Sequence, residues 1–167
     1  MKTTLKNQWN GAPSHQTFDY SLRITDQTLT FDVTFASTAK GLPNSKSGQY
    51  TPELWKWDVA ELFISNLEGK YLEINLSPTG AYWIQGFLTT RCPDPEFTPS
   101  LYNARASSEG IQLSLTALET YLGASSAWRL NVTGILNSPD YIFLSQTPLP
   151  GGEADFHQPQ HFSFALI

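Results

Sequence analysis

The chain of 167 residues has a common balance of apolar and charged residues, and 13% of its residues are aromatic. This length allows one domain that buries a core without disulfides or metal ions. A formal net charge of −5 and scattered basic residues argue against partners such as nucleic acid or an anionic membrane surface. The single cysteine, Cys92, excludes an internal disulfide and a cysteine-based metal cage.

The N-terminal residues are polar and lack the apolar core of a signal peptide, and no apolar run reaches membrane-spanning length. We therefore expect a cytoplasmic protein, although a secreted chain whose leader has been removed would look the same. No internal repeat or break in composition divides the chain, which predicts a single domain over residues 1–167. Its oligomeric state is not specified by these features.

The chain begins with a predicted β-hairpin. Apolar and polar residues alternate over residues 18–24 and again over residues 29–35, which is the period of half-buried strands. Residues 39–52 are rich in Gly, Ser, Asn, Lys and Pro and are predicted to form a long surface loop. Because this loop leads directly to Trp55, it is either one wall of a cleft or a disordered connector.

Residues 54–91 are predicted to form a three-stranded antiparallel meander. The run at residues 59–64 is apolar except for Glu61, and residues 71–76 then alternate between apolar and polar side chains. Turn residues separate the strands, with Asn-Leu-Glu-Gly after the first and Ser-Pro-Thr-Gly after the second. Both connections are therefore expected to be tight.

Two carboxylates in this meander need polar partners, because an unpaired buried charge is costly. Arg91, at the end of the third strand, is the candidate cation for Glu61. Glu61 is therefore either one half of a structural ion pair or a polar anchor in a binding cleft. A pair formed with Glu73 would instead indicate a glycosidase. We expect a four-residue connection between their strands, which places Glu61 and Glu73 on opposite faces and argues against hydrolysis.

The second half of the chain continues with short elements. The predicted elements are a hairpin at residues 101–107 and 111–116, a helix at 117–122 ended by Gly123, and strands at 128–133, 141–145 and 162–166. About ten short strands with turn residues between them and one short helix are typical of an all-β protein. We predict an antiparallel, jelly-roll-like β-sandwich.

The sequence lacks the G-x-S-x-G, P-loop, G-x-G-x-x-G and H-E-x-x-H motifs. Asp155, His157 and His161 have the chemistry of metal ligands, but Pro159 breaks any helix that would align the two histidines. We therefore expect a non-catalytic protein without a metal ion or a cofactor. Asp155 and His157 are interpreted as groups that hold the loop by hydrogen bonds to its backbone.

Three segments resemble the family-9 carbohydrate-binding modules and their relatives, the DOMON-like domains. These segments are WKWDVAELF at residues 55–63, YLEINLSPTG at 71–80 and PGGEADFHQP at 150–159. The resemblance implies a β-sandwich that binds a small saccharide or polyol without catalysis. Some DOMON-like relatives bind haem through a methionine and a histidine, but Met1 is the single methionine of this chain.

In the modules resembled, two aromatic residues sandwich a sugar, while a carboxylate and an arginine bind its hydroxyl groups. The resemblance implies Trp55 as one platform, Glu61 as the acceptor and Arg91 as the donor. Trp57 is the alternative platform, and alternation along an extended chain would place it on the same face as Trp55. Both tryptophans could equally belong to the core or to a sheet edge.

The second sandwiching aromatic residue is expected in the C-terminal loop. Phe156 and His157 occupy that loop where the carbohydrate-binding members carry tryptophan, so they are the candidates for this contact. The competing function is a protein-interaction or structural domain whose cleft is filled by its own side chains. An open cleft beside Trp55 would favour saccharide binding, whereas a closed one with Glu61 paired to Arg91 would favour the competing function.

Overall fold

Two antiparallel β-sheets packed face to face make up the computed structural model, which describes residues 2–137 and 140–164. Its strands are β1 Thr3–Asn7, β2 Pro13–Thr25, β3 Thr28–Thr34, β4 Val59–Ser65, β5 Tyr71–Leu76, β6 Tyr82–Thr89, β7 Cys92–Pro93, β8 Arg105–Ser107, β9 Gly110–Ser114, β10 Arg129–Leu136, β11 Ile142–Ser145 and β12 Ser163–Phe164. The helix α1 spans Leu115–Leu122, and short 3-10 turns lie at Leu54–Lys56, Pro99–Tyr102, Ser125–Ala127 and Pro159–His161.

The first sheet has the strand order β1-β2-β3-β9-β8, and the second has the order β11-β10-β4-β5-β6-β7. The short strand β12 pairs with the beginning of β10, on the same edge that β11 uses further along. Most strands that are neighbours in a sheet are also consecutive in the chain. They include the predicted hairpin of β2 and β3 and the predicted meander of β4, β5 and β6. The predicted fold class, an all-β sandwich with one short helix, is confirmed.

The main core lies between the two sheets. On β4 and β5, every second residue points into it, and these residues are Ala60, Leu62, Ile64, Leu72, Ile74 and Leu76. Phe31 and Leu113 of the first sheet belong to the same cluster. Each fully buried Leu, Ile or Phe side chain among them contributes about 1.5–3 kcal/mol to the stability of the fold.

A second apolar cluster covers the outer face of the second sheet. Phe63, Tyr71 and Phe87 point outwards from β4, β5 and β6 and are buried under residues of the C-terminal segment, which we define as residues 146–162. As a result β4 and β5 are buried on both faces along their whole length. An antiparallel sheet often leaves one face in water, so this covering segment is what creates a sheltered outer surface.

The helix α1 begins two residues earlier than the sequence pattern indicates. Ser114 caps it, because the Ser114 hydroxyl accepts a hydrogen bond from the backbone N–H of Ala117. Gly123 ends the helix at a positive φ of 82°, as expected from its position. In the described residues, no helix is long and apolar enough to cross a membrane. Of the predicted last strand, Leu166 lies outside the described residues.

The connection between β4 and β5 corrects one prediction. Ser65 pairs with Tyr71, so the connection comprises the five residues 66–70 instead of four. An odd number of connecting residues changes which side chains share a face. Glu61 and Glu73 therefore lie on the same outer face of the second sheet, and the expectation that they lie on opposite faces is wrong.

Candidate functional site

A row of mainly polar side chains crosses the outer face of the second sheet. Successive cross-strand partners from β11 to β6 form this row, namely Ser145, Thr133, Glu61, Asn75 and Trp83. The adjacent row places Glu73 between Phe63 and Gln85. The antiparallel register thus gathers polar groups from segments that are far apart in sequence.

A cavity of about 410 Å³ opens over these two rows. The carboxylates Glu61 and Glu73 line its buried end and are 2% and 5% exposed. The remaining lining residues are mostly aromatic, and they are Trp55, Phe63, Trp83, Phe87, Arg91, Ile135, Tyr141, Phe143, Ala154, Phe156 and His157. The volume lies in the range of small-molecule sites, about 300–1,000 Å³.

The 3-10 turn at Leu54–Lys56 presents Trp55 to the cavity. Leu54 is fully buried in the outer cluster, and the Trp57 N–H donates to its carbonyl, so the turn holds Trp55 outwards at 37% exposure. The Trp55 ring meets the Trp83 ring edge to face, with centroids 5.6 Å apart. Because this segment is a turn and not an extended chain, Trp57 does not line the cavity. The expectation that Trp55 and Trp57 share one face is wrong.

Asp58, which follows this turn, is held in place by hydrogen bonds from two other segments of the chain. Asp58 is buried and accepts hydrogen bonds from the backbone N–H groups of Lys40 and Asn137. The preceding loop, residues 39–52, lies along the turn between β5 and β6, where the Thr51 N–H donates to the carbonyl of Tyr82. None of these loop residues lines the cavity, so the loop is not a wall of this cleft.

Glu61 does not pair with Arg91. Its Oε2 accepts a hydrogen bond of 2.7 Å from the Thr133 hydroxyl, and its Oε1 has no partner among the described residues. Arg91 follows the end of β6, at the rim, where its Nη2 lies 2.9 Å from Asp155 Oδ1. Of the two alternatives for Glu61, the structural ion pair with Arg91 is therefore not formed, because the two residues lie at different depths and two strands apart.

Glu73 also lacks a close cation. Its Oε1 accepts a hydrogen bond of 3.0 Å from Asn75 Nδ2, while its Oε2 lies 3.6 Å from His157 Nε2. The latter separation is longer than a hydrogen bond. Asn75 Oδ1, fully buried, has no partner in the described part of the chain. Glu61 and Glu73 line the cavity and present carboxyl oxygens to it.

Both carboxyl groups hold protons more tightly than usual. Burial raises the pKa of Glu61 to about 8, and the neighbouring charge of Glu73 adds to the shift. Burial also raises the pKa of Glu73 to about 7, although the hydrogen bond from Asn75 and the charge of Arg91 oppose it. Since two adjacent buried charges of one sign are costly, the pair retains a proton near neutral pH.

A hydrogen-bond chain fixes the His157 ring. The Arg91 N–H donates to the Tyr71 hydroxyl at 3.1 Å, and that hydroxyl lies 2.7 Å from His157 Nδ1. The Tyr71 hydroxyl then donates to Nδ1, so the imidazole proton is assigned to Nε2, facing Glu73. Burial lowers the pKa of His157 to about 4, and the charge of Arg91 contributes. The ring is therefore neutral at pH 7.

The C-terminal segment supplies Phe156 and His157 to the wall of the cavity. Phe156 is nearly covered and meets Phe63 edge to face at 6.4 Å, so it presents little free surface. Asp155 Oδ1 accepts a hydrogen bond of 2.9 Å from the His157 N–H, as expected of a group that holds the loop. His157, in contrast, bonds the Tyr71 side chain instead of the loop backbone.

The aromatic residue adjacent to Trp55 is Trp83, which the sequence did not indicate as a site residue. Alternation along β6 contains a usable signal, because it places Trp83 and Phe87 on one face. No local signal indicates Tyr141 or Phe143, which enter the cavity from β11 and the residue before it. Among the described residues, no three His, Cys, Asp or Glu side chains form a group that could hold a metal ion.

The fold defines the class of protein as an all-β sandwich, and a solved structure shares it. This chain is similar to the crystal structure of a "putative carbohydrate-binding protein" from Bacteroides uniformis ATCC 8492, with a TM-score of 0.74 and 14% sequence identity. The similarity covers 98% of this chain and 84% of the other. No protein-family model matches the chain, and no curated protein matches it.

Proposed function

We propose that the cavity binds a small saccharide or a related polyol, and that the protein is a non-catalytic module of the family-9 carbohydrate-binding or DOMON-like type. The observation that carries this proposal is the placement of Trp55 and Trp83 beside two buried carboxyl groups in one open cavity. Aromatic rings bind the C–H face of a sugar, and carboxyl groups form paired hydrogen bonds with its hydroxyl groups.

The proposed binding residues are those that line the cavity. Trp55 supplies the exposed aromatic surface, and Glu61 accepts hydroxyl hydrogen bonds at the buried end. Arg91, at the rim, retains guanidinium donors beyond the one that contacts Asp155. Phe156 and His157 contribute apolar contact from the C-terminal segment.

Two further observations support binding over the interaction-domain alternative. The cavity is open, with Trp55 partly exposed, and Glu61 keeps one oxygen without a protein partner. A cleft filled by the protein's own side chains would show neither feature. The similar solved structure is described as a putative carbohydrate-binding protein, which supports a binding role for this fold.

Glycoside hydrolysis is the second candidate, because Glu61 and Glu73 share one face and line one cavity. That reaction requires one carboxylic acid and one carboxylate on either side of the scissile bond. Here both carboxyl groups lie side by side at the buried end, on directly paired strands, which favours recognition of one end of a sugar. We therefore propose binding without cleavage.

Tryptophan fluorescence during titration with mono- and disaccharides tests the proposal. A disaccharide of about 23 heavy atoms at about 0.3 kcal/mol per atom gives a Kd of about 10 μM, so high ligand concentrations are required. We expect a saturable change that Trp55→Ala weakens by about tenfold or more, with Trp83 remaining as a reporter. Trp57→Ala is the matched control, since Trp57 lies two residues away and outside the cavity.

A flat response from the folded protein across the panel would contradict saccharide binding and favour the interaction domain. Equal losses of saccharide affinity in Trp55→Ala and Trp57→Ala would contradict the proposal that the cavity is the binding site. NMR of each mixture after a day gives the check on catalysis. If the protein released monosaccharide from the disaccharides and Glu61→Gln did not, the proposed function would be hydrolysis instead of binding.

A further inference from the structure

Two side-chain donors beside the buried carboxyl groups are already engaged, whereas the Nε2–H of His157 faces Glu73 Oε2 at 3.6 Å without a short hydrogen bond. The Thr133 hydroxyl donates to Glu61, and Asn75 Nδ2 donates to Glu73. The Tyr71 hydroxyl donates towards His157, so among the described side chains it is not available to a ligand here. When the carboxyl groups are ionised, acceptors outnumber free donors at this end of the cavity, which favours a ligand that supplies donors.

The acceptors at the same place are incomplete. Glu61 lines the cavity at 2% exposure with Oε1 unpartnered in the described residues, and Glu73 Oε2 has a contact no closer than 3.6 Å. The adjacent Asn75 Oδ1 is buried without a partner as well. A neutral hydroxyl group brings one donor, whereas an ammonium group brings three and a positive charge.

The charges and the aromatic rings of the cavity lining also favour a ligand with a positive charge. Arg91 is the charged cation that lines the cavity, and its contact is with Asp155 at the rim. His157 is the other basic residue of the lining, and it is neutral for the reasons given above. The walls carry the rings of Trp83 and Phe87, whose faces attract cations. The groups at the buried end that can carry a charge are thus two carboxyl groups, and the charge of Arg91 acts on Glu73 from the rim.

We propose that the preferred ligand is an amino sugar, whose ammonium group binds at the buried end of the cavity between Glu61 and Glu73. This inference rests on the proposed saccharide binding and specifies its ligand class. The pyranose ring lies against Trp55 and Trp83, and its remaining hydroxyl groups reach Arg91 at the rim.

Binding of an ammonium group favours the ionised carboxyl groups, so it releases protons from the site. The groups that face the pair are Thr133 on β10, Tyr71 on β5, His157 and Asp155 on the C-terminal segment, and Arg91 after β6. The pKa of His157 is lowered to about 4 and the pKa of Tyr71 is raised to about 12, so neither of these two groups changes charge near pH 7. A neutral sugar leaves the carboxyl protons in place.

Calorimetric titration at pH 7 with glucosamine, glucose and N-acetylglucosamine tests the inference, with the β1,4-linked dimers as a second set. We expect glucosamine to bind about tenfold more tightly than either neutral sugar, because charge-assisted hydrogen bonds are stronger than neutral ones. Repeating the titration in buffers of different ionisation enthalpy measures the released protons. Glu61→Gln and Glu73→Gln should each weaken the binding of glucosamine more than the binding of glucose, which removes most of the preference. The exposed Glu68→Gln should retain it.

The outcomes separate the two proposals. Equal affinity for glucose and glucosamine, or tighter binding of glucose, overturns the amino-sugar inference and leaves saccharide binding in place. Binding of none of the sugars overturns both. The comparison of sugars on the unmodified protein decides the matter even if a glutamine variant fails to fold, which circular dichroism would reveal.

Discussion

The buried carboxyl groups of Glu61 and Glu73 make the stability of this protein depend on pH. Burial raises the pKa of each above its ordinary value of 4.5, to about 8 and about 7. A carboxyl group with a raised pKa stabilises the folded state while it is protonated. This contribution is fully present below pH 4.5 and is lost as the pH rises through 7 and 8.

His157 acts in the opposite direction and in a different pH range. Burial lowers its pKa from 6.5 to about 4, so its neutral form is favoured in the folded state. The corresponding stability is present above pH 6.5 and is lost as the pH falls through 4. Above pH 6.5 the imidazole is mostly neutral in both states, and the carboxyl groups alone remain to change stability.

We predict that the free energy of unfolding falls by on the order of 1–3 kcal/mol between about pH 6.5 and about pH 9, because two buried carboxyl groups must ionise. Urea unfolding of the unliganded protein across this range measures the decrease. Glu61→Gln should remove most of it, since glutamine keeps the shape of the side chain without the charge. The exposed Glu68→Gln should follow the unmodified protein. A decrease of equal size in both variants would contradict the assignment.

At the residue scale, the sequence indicated Trp55 and Glu61 as neighbours of one site, and the structure places both in the cavity. It did not indicate their partners. The partners depend on whether the connection between β4 and β5 has an odd or an even number of residues, and on how deep each side chain lies. One additional connecting residue places Glu73 on the same face as Glu61. Arg91 lies beyond the end of β6 and pairs with Asp155 instead of either glutamate.

At the element scale, the packing of β6 depends on a residue without a side chain. Gly86 lies on the inner face of β6, and a Cβ atom there would collide with the rings of Phe97 and Tyr121. Those rings meet edge to face at 5.4 Å, and the Tyr121 hydroxyl donates to Asp94 at 3.0 Å. Gly86 thus lets the segment after β7 and helix α1 approach the sheet.

We predict that Gly86→Ala destabilises the protein by about 1–3 kcal/mol, because the added methyl group overpacks this contact. Urea unfolding gives the difference in free energy. The matched control is Gly152→Ala, since a Cβ atom at Gly152 would meet nothing within 4 Å. A loss no larger than that of the control would show that Phe97 and Tyr121 move aside at little cost.

The elements themselves were largely predictable. Period-2 alternation identified the hairpin of β2 and β3 and the strand β5, while an apolar run and the turn residues beside it identified β4 and the rest of the meander. The 3-10 turns at Leu54–Lys56 and Pro99–Tyr102 were not predicted. Segments of three or four residues are too short for a periodic signal. Their conformation depends on which of their side chains packs into the neighbouring core.

At the scale of the whole molecule, the two apolar clusters share strands. β4 and β5 contribute alternate residues to the core between the sheets and to the cluster under the C-terminal segment. Loss of the outer cluster would expose Phe63 and Tyr71 on strands that also hold the main core. The stability of the covering segment is therefore coupled to that of the sandwich.

We predict that the protein unfolds in one cooperative thermal transition, as expected of the single domain inferred from its length. Scanning calorimetry provides the measurement, with the calorimetric enthalpy expected to equal the van't Hoff enthalpy. Circular dichroism in the near ultraviolet should change at the same temperature. Two separated transitions would contradict this prediction and indicate that the C-terminal segment unfolds first.

The sequence by itself determined the all-β class, most strands and the segment that holds Trp55 and Glu61, because these follow from alternation and turn residues within a few positions. The tertiary structure decided the cavity. Trp83 reached Trp55 through the register of β5 and β6, and Phe156 reached Phe63 through a covering segment more than ninety positions later. Such contacts depend on strand register and on burial between distant segments, and no local pattern of side chains specifies either.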